Sequence, residues 1–524
     1  MSIFMITPND VHGIIKKRMI SDVFDFVLDL DKSKGMYLQD AKSDRKFLDF
    51  FGFFASSAIG MNHEKMFEPG FLKKLQRASI NKPTNSDVLT VEMAEFVDTL
   101  SRIATPPYMK YFFFIEGGAL AVENALKTAF DWKIRKNFTK GIQEVRGQKV
   151  IYLMEAFHGR SGYTLAITNT ASIKKVQYFP RFSWPRVSNP KITFPLNAEN
   201  TKKAEELEKQ SIEEIQKAIS QEGDQIAALI MEPIQGEGGD NHFRKEYMQA
   251  VRKITAENDI LFILDEIQTG VGITGKWWAH QHFDIRPDII AFGKKMQVCG
   301  IMAGHKLEDI NDHVFRVPNR IDSTWGGNLT DMVRATKYLE IINEEKLVDN
   351  AAKMGKIFLK GLEGLQDKFP DDIFNARGRG LMCAFDLKSP ALREEFYNRC
   401  YDNKLLVLRT GASGIRFRPS LIIEENHIND ALSIMEKVAT ELFGKARGSS
   451  KPTASQASSA PIRLALPVTS KKSDETKDQG AQTEKKTADG PAKSAFTAPE
   501  NDSGIKESKV YFISKDAPPG AQVA

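Results

Sequence analysis

Residues 260–268 read Ile-Leu-Phe-Ile-Leu-Asp-Glu-Ile-Gln, five apolar residues closed by an acid. A run this continuous, without polar alternation, suits a strand buried on both faces, as in a parallel sheet covered by helices. Four further runs at 111–115, 150–154, 226–231 and 288–292 have the same character. Helix-period stretches, at 121–136 and 211–220 among others, lie between them. The pattern is therefore α/β with crossover helices and a mainly parallel sheet. After Met332 a long helical stretch leads into a mixed segment, 373–443, with strands expected near 381–387 and 415–417. That segment reads as a second, smaller α+β domain.

The composition narrows the class. The chain has 524 residues, too many for one compact core, with 41% apolar and 27% charged residues, as in ordinary soluble globular proteins. Lys and Arg number 73 against 68 Asp and Glu, a net charge of +5, and the two signs are interspersed, so no nucleic-acid partner is expected. Three cysteines without CxxC spacing, Cys299, Cys383 and Cys400, argue against a disulfide framework, a zinc site or an iron–sulfur cluster. No stretch approaches the roughly 18 consecutive apolar residues of a membrane span, and the N-terminus lacks a signal-type apolar run. A cytoplasmic location is expected. From about Gly448 onward Ser, Thr, Ala, Pro, Lys and Gln dominate, a composition that cannot bury enough apolar surface to offset its ordering entropy.

In open α/β sheets ligands sit beyond the carboxyl ends of the strands, so the residues that follow each run carry the functional information. The first run is followed by Glu-Gly-Gly-Ala (116–119) and then a helix, a turn that lets backbone N–H groups approach an anion. The second is followed by Phe157-His158-Gly159-Arg160, which offers a stacking face and a guanidinium for a carboxylate. The third opens a glycine-rich loop containing Glu237, and the fourth ends on Asp265, an acid that is costly to bury without a cationic partner. The fifth ends on Gly293-Lys294-Lys295, and a strand-end lysine can act as an amine nucleophile. Each feature alone is ordinary. Together, an anion cradle, an aromatic plate, a buried acid and a strand-end lysine are what pyridoxal-phosphate (PLP) chemistry requires.

The segments 116–127, 157–165, 232–243, 264–280, 287–304 and 323–329 (EGGALAVENALK, FHGRSGYTL, EPIQGEGGDNHF, LDEIQTGVGITGKWWAH, PDIIAFGKKMQVCGIMAG and STWGGNL) closely resemble the class III, omega-type aminotransferases, nearest to their lysine 6-aminotransferase branch. The likeness spans roughly residues 8–443. It implies a fold-type I PLP transferase that works as a homodimer with active sites at the subunit interface. The division it suggests is an N-terminal segment at 1–60, a large cofactor domain at 61–335, a small C-terminal domain at 336–445 and a disordered tail at 446–524.

The resemblance also implies roles. Lys294 would be the Schiff-base lysine and proton carrier, Asp265 the partner of the pyridine nitrogen, Gln268 a contact of the ring's phenolic oxygen, and Phe157 a stacking plate. Gly118 and Ala119 would bind the phosphate, with Thr324 reaching it from the other subunit. Arg160 would hold the remote substrate carboxylate. Arg416 would be a second arginine, neutralised by Glu237 for L-lysine and opened for 2-oxoglutarate. The implied reaction moves the ε-amino group of L-lysine to 2-oxoglutarate in two half-reactions. The alternative is 4-aminobutyrate or another ω-amino acid as donor.

Overall fold

The structure is a computed structural model that describes residues 6–20 and 24–444. The tail expected from residue 446 lies outside the described residues. Near the N-terminus, β1 (Tyr37–Gln39) and β2 (Lys46–Asp49) form an antiparallel hairpin. The large sheet follows, from β3 (Met109–Ile115), β4 (Lys149–Leu153), β5 (Arg186–Val187), β6 (Ile226–Met231), β7 (Leu261–Asp265), β8 (Ile289–Phe292) and β9 (Cys299–Gly304). Its order is β3-β9-β8-β7-β6-β4-β5. The contiguous block β8-β7-β6-β4-β5 is parallel, and only β9 runs against its neighbours.

Side-chain alternation explains why these strands are apolar throughout. Ile263, Ala228, Ile230, Ile289 and Ala291 pack on one face against Val122, Ala125, Leu126 and Ala129 of the helix Gly118–Thr139. Phe262, Leu264, Leu229 and Met231 point the other way, onto Ile215 of the helix Ala198–Glu222 and Met248 and Val251 of the helix Lys245–Glu257. Both faces are dry, so strand residues of either parity must be apolar.

The long helical stretch after Met332 is two helices, Leu329–Glu344 and Leu347–Lys368. Lys346 between them takes a left-handed conformation (φ 52°), which ends the first helix and turns the chain. The second helix lies against a four-stranded antiparallel sheet of β10 (Ile373–Arg379), β11 (Met382–Leu387), β13 (Leu408–Thr410) and β14 (Gly414–Phe417), in the order β10-β11-β14-β13. The short β12 (Leu405–Leu406) leaves that region and pairs in parallel with β2, which ties the N-terminal hairpin to the C-terminal part of the chain. Among the described residues no helix is long and apolar enough to cross a membrane.

Candidate active site

Because β3, β4, β6, β7 and β8 share one direction, their carboxyl ends lie along one edge of the sheet. That edge gathers Gly117-Gly118, Phe157-His158, Glu232, Asp265 and Lys294.

Asp265 closes β7 and is buried. One carboxylate oxygen accepts from the Ile267 backbone N–H at 3.1 Å, and the other lies 2.8 Å from His158 Nδ1. The second nitrogen of His158, Nε2, is buried without a partner. Below them, Glu232 accepts from the backbone N–H groups of Phe157 (3.0 Å) and Gly236 (2.9 Å). Burial pushes its carboxyl up to about 7; His158 opposes that shift and Asp265 adds to it.

The two tandem lysines have different fates. Lys295 is buried, and its Nζ donates to the carbonyls of Gln268 (2.9 Å) and Ala55 (3.2 Å). Lys294 sits just after β8 in a left-handed conformation (φ 50°). Burial holds its amine below the usual lysine range, with Asp265 opposing and Arg416 reinforcing the shift. An amine whose charged form is disfavoured by burial can act as a nucleophile and a proton carrier.

Gln268 links this centre to two arginines. Its Oε1 accepts from Arg418 Nε at 2.9 Å and from Arg416 Nη1 at 3.3 Å. The approach needs Gly236, where a Cβ would stand 2.4 Å from that same oxygen. Arg418 is fully buried and committed: its two terminal nitrogens fork onto Asp240, at 2.8 and 2.5 Å. Among the described residues Arg416, on β14, hydrogen-bonds through its side chain only to Gln268, and its Nε is buried without a partner. Burial and the neighbouring Arg418 hold Arg416 down to about 10. Of the two, Arg416 is the one with hydrogen-bonding capacity left for a ligand.

The pairing of Arg416 with Glu237 expected from the sequence is not what the described residues form. Glu237 Oε1 accepts from Lys175 Nζ at 2.5 Å and from Thr170 Oγ1 at 2.9 Å, and its Oε2 is buried without a partner. The loop after Ile167 delivers that lysine, which competes with Arg416 for the same carboxylate. Arg160 is exposed and, with Leu165, Lys175 and Phe179, lines a cavity of about 380 Å³. Phe157 borders the same region, with the Lys175 ammonium 5.8 Å from its ring centroid. Gly118 begins a 22-residue helix, so its first turn, with Ala119, presents N–H groups that have no intrahelical acceptor. Thr324 is on an exposed loop whose carbonyls accept from Ser86.

The edge thus combines an amine, a buried acid and a helix terminus with free N–H groups, with Arg416 buried beside the amine and Arg160 at the cavity that Lys175 also lines. Such a set could hold an aromatic, phosphate-bearing cofactor next to a dicarboxylate. Sequence reasoning missed Asp240, Glu232, Lys175 and the part played by His158. Glu232 and Asp240 lie within the Glu-Pro-Ile-Gln-Gly-Glu-Gly-Gly-Asp run, but nothing in their spacing shows which groups they face.

A family model described as aminotransferase class-III matches residues 20–439. L-lysine-epsilon aminotransferase of Mycobacterium tuberculosis is 47% identical over 428 residues, covering 82% of this chain and 94% of that protein. The mitochondrial 4-aminobutyrate aminotransferase of Mus musculus is 33% identical over 442 residues, 79% of this chain and 85% of its own. Among solved structures, lysine aminotransferase from M. tuberculosis in the internal aldimine form superposes with a TM-score of 0.82 at 46% identity, covering 83% of this chain and all of that one. The architecture is that of the fold-type I transferases, and the chain belongs to the class-III aminotransferases.

Proposed function

We propose that this protein transfers the ε-amino group of L-lysine to 2-oxoglutarate, using pyridoxal 5'-phosphate. The observation that carries the reading is a pair of arginines in different settings: Arg160, exposed at a cavity, and Arg416, buried beside Lys294 and Asp265 with a free Nε. Two arginines, one buried beside the amine and one at an exposed cavity, suit substrates with a carboxylate at one or both ends. The 47% identity to a lysine-ε aminotransferase over most of both chains supports lysine as the donor.

The residues present fit the cofactor. Lys294 would hold it through Nζ, Asp265 would keep its ring nitrogen protonated, Phe157 would stack on it, and Gln268 would meet its phenolic oxygen. Gly118 and Ala119 at the helix terminus would take the phosphate. Bound there, pyridoxal phosphate supplies the carbonyl that receives the amino group and an electron-accepting ring. His158 fixes the orientation of Asp265 through Nδ1. Lys294 Nζ, whose charged form burial disfavours, takes the proton from the substrate carbon and returns it elsewhere. Arg160 anchors the carboxylate far from the reacting amine. Arg416 receives the α-carboxylate of 2-oxoglutarate, and Glu237 neutralises it when lysine, which has no charge beside the reacting carbon, is bound. The lysine product, 2-aminoadipate 6-semialdehyde, closes to a piperideine carboxylate in solution.

The working form is a homodimer in which Thr324 of the partner subunit completes the phosphate site, and its setting is cytoplasmic. Purified holoenzyme with lysine and 2-oxoglutarate should yield glutamate and the cyclic imine in equal amounts. Conversion of 4-aminobutyrate without conversion of lysine would overturn the choice of donor.

A further inference from the structure

The loop after Ile167 brings to this site a cation that none of the roles above uses. Lys175 Nζ lies 2.5 Å from Glu237 Oε1, and Thr170 Oγ1 donates to the same oxygen at 2.9 Å. Glu237 is thereby held off Arg416, whose Nε has no partner, and its own second oxygen is unpaired as well. Lys175 also shares the cavity lined by Arg160.

The two substrates make opposite demands on Arg416. Lysine offers only a methylene beside its reacting amine, so a bare guanidinium there would be an uncompensated buried charge. 2-Oxoglutarate brings a carboxylate to the same place, where Glu237, if still on the guanidinium, would repel and displace it. Glu237 therefore needs two resting positions, and the sequence motifs supply only the one on Arg416. We propose that Lys175 is the second: a positioning residue that receives Glu237 and leaves Arg416 open for the α-carboxylate of the oxo acid. The proposal rests on the reading that the enzyme alternates between an ω-amine and a 2-oxo acid. With Glu237 on Lys175, Arg416 keeps one positive charge for the one carboxylate that arrives. Without Lys175, Glu237 falls back on Arg416 and competes with the ligand.

The pair is partly solvated, with 37% and 21% of the two side chains exposed. Its effect is therefore modest, and loss of the cation should weaken carboxylate binding at Arg416 about fivefold. The test uses holoenzyme carrying Lys175→Met, Lys175→Gln or Lys175→Arg. Single-turnover half-reactions give apparent dissociation constants for L-lysine and 2-oxoglutarate. Calorimetry gives those for glutarate and pentanoate, unreactive five-carbon acids with two carboxylates and one. The Met and Gln variants should raise the 2-oxoglutarate constant relative to that of lysine, and the glutarate constant relative to that of pentanoate, while Lys175→Arg restores both ratios. Equal weakening of all four ligands would place Lys175 at the remote carboxylate with Arg160 and overturn the proposal, as would unchanged ratios. A wild type that does not accept lysine would remove the functional reading instead. The glutarate-to-pentanoate ratio would still decide the role of Lys175.

Discussion

The buried acids around Lys294 differ in what satisfies them, and those differences have measurable consequences. Asp240 is answered by a forked arginine, whereas Glu232 has two backbone N–H groups and, among the described residues, no direct ion pair. Burial raises Glu232 from its ordinary value near 4.5 to about 7. Between those values the folded protein binds a proton that the unfolded chain releases, so this residue makes stability fall as pH rises across the window. Glu232→Gln should flatten that dependence: the thermal midpoints of variant and wild type, followed from pH 4.5 to 7, should converge or cross in favour of the variant at the upper end. Parallel midpoint curves would mean that Glu232 is already ionised throughout. The tandem lysines make a related point. Their sequence context is nearly identical, yet Lys295 is spent on two carbonyls and Lys294 is not.

At the scale of elements, the smaller sheet is held by close backbone contact as well as by apolar side chains. Gly355, in the helix Leu347–Lys368, sits against Gly380 at the β10–β11 turn, where a Cβ would lie 2.2 Å from the Gly380 carbonyl. Gly355→Ala forces helix and hairpin apart and should cost about 1–3 kcal/mol, read as a lower denaturant midpoint at unchanged m. This contact was invisible beforehand, because the helical pattern ran unbroken through Lys346 and gave no sign of what the second helix met. The large sheet was far more legible. Five apolar runs foretold β3, β4, β6, β7 and β8 to within two residues at either end. The strand β9, Cys-Gly-Ile-Met-Ala-Gly, escaped notice because its glycines and alanine weaken the apolar signal. Those same glycines fit it between β3 and β8: a Cβ at Gly300 would fall 2.2 Å from the Phe113 carbonyl.

For the whole molecule, the proposed shared site makes a prediction about mixing. Lys294→Ala and Thr324→Ala subunits should each give poor enzymes alone. If one subunit supplies the lysine and the other the threonine, half of the dimers after random exchange are hybrids with one intact site, and about a quarter of wild-type activity should return. No gain on exchange would show that each chain completes its own site.

The sequence by itself determined the layered α/β fold and the edge at which chemistry occurs. Burial on both faces imposes continuous apolar runs, and parallel strands put every residue that follows a run along one edge. Tertiary structure alone decided the partners: Arg418 with Asp240, Asp265 with His158, and Glu237 with Lys175 instead of Arg416. Hydrogen bonds and ion pairs depend on distances of about 3 Å between side chains carried on separate loops, and no spacing along the chain encodes those distances.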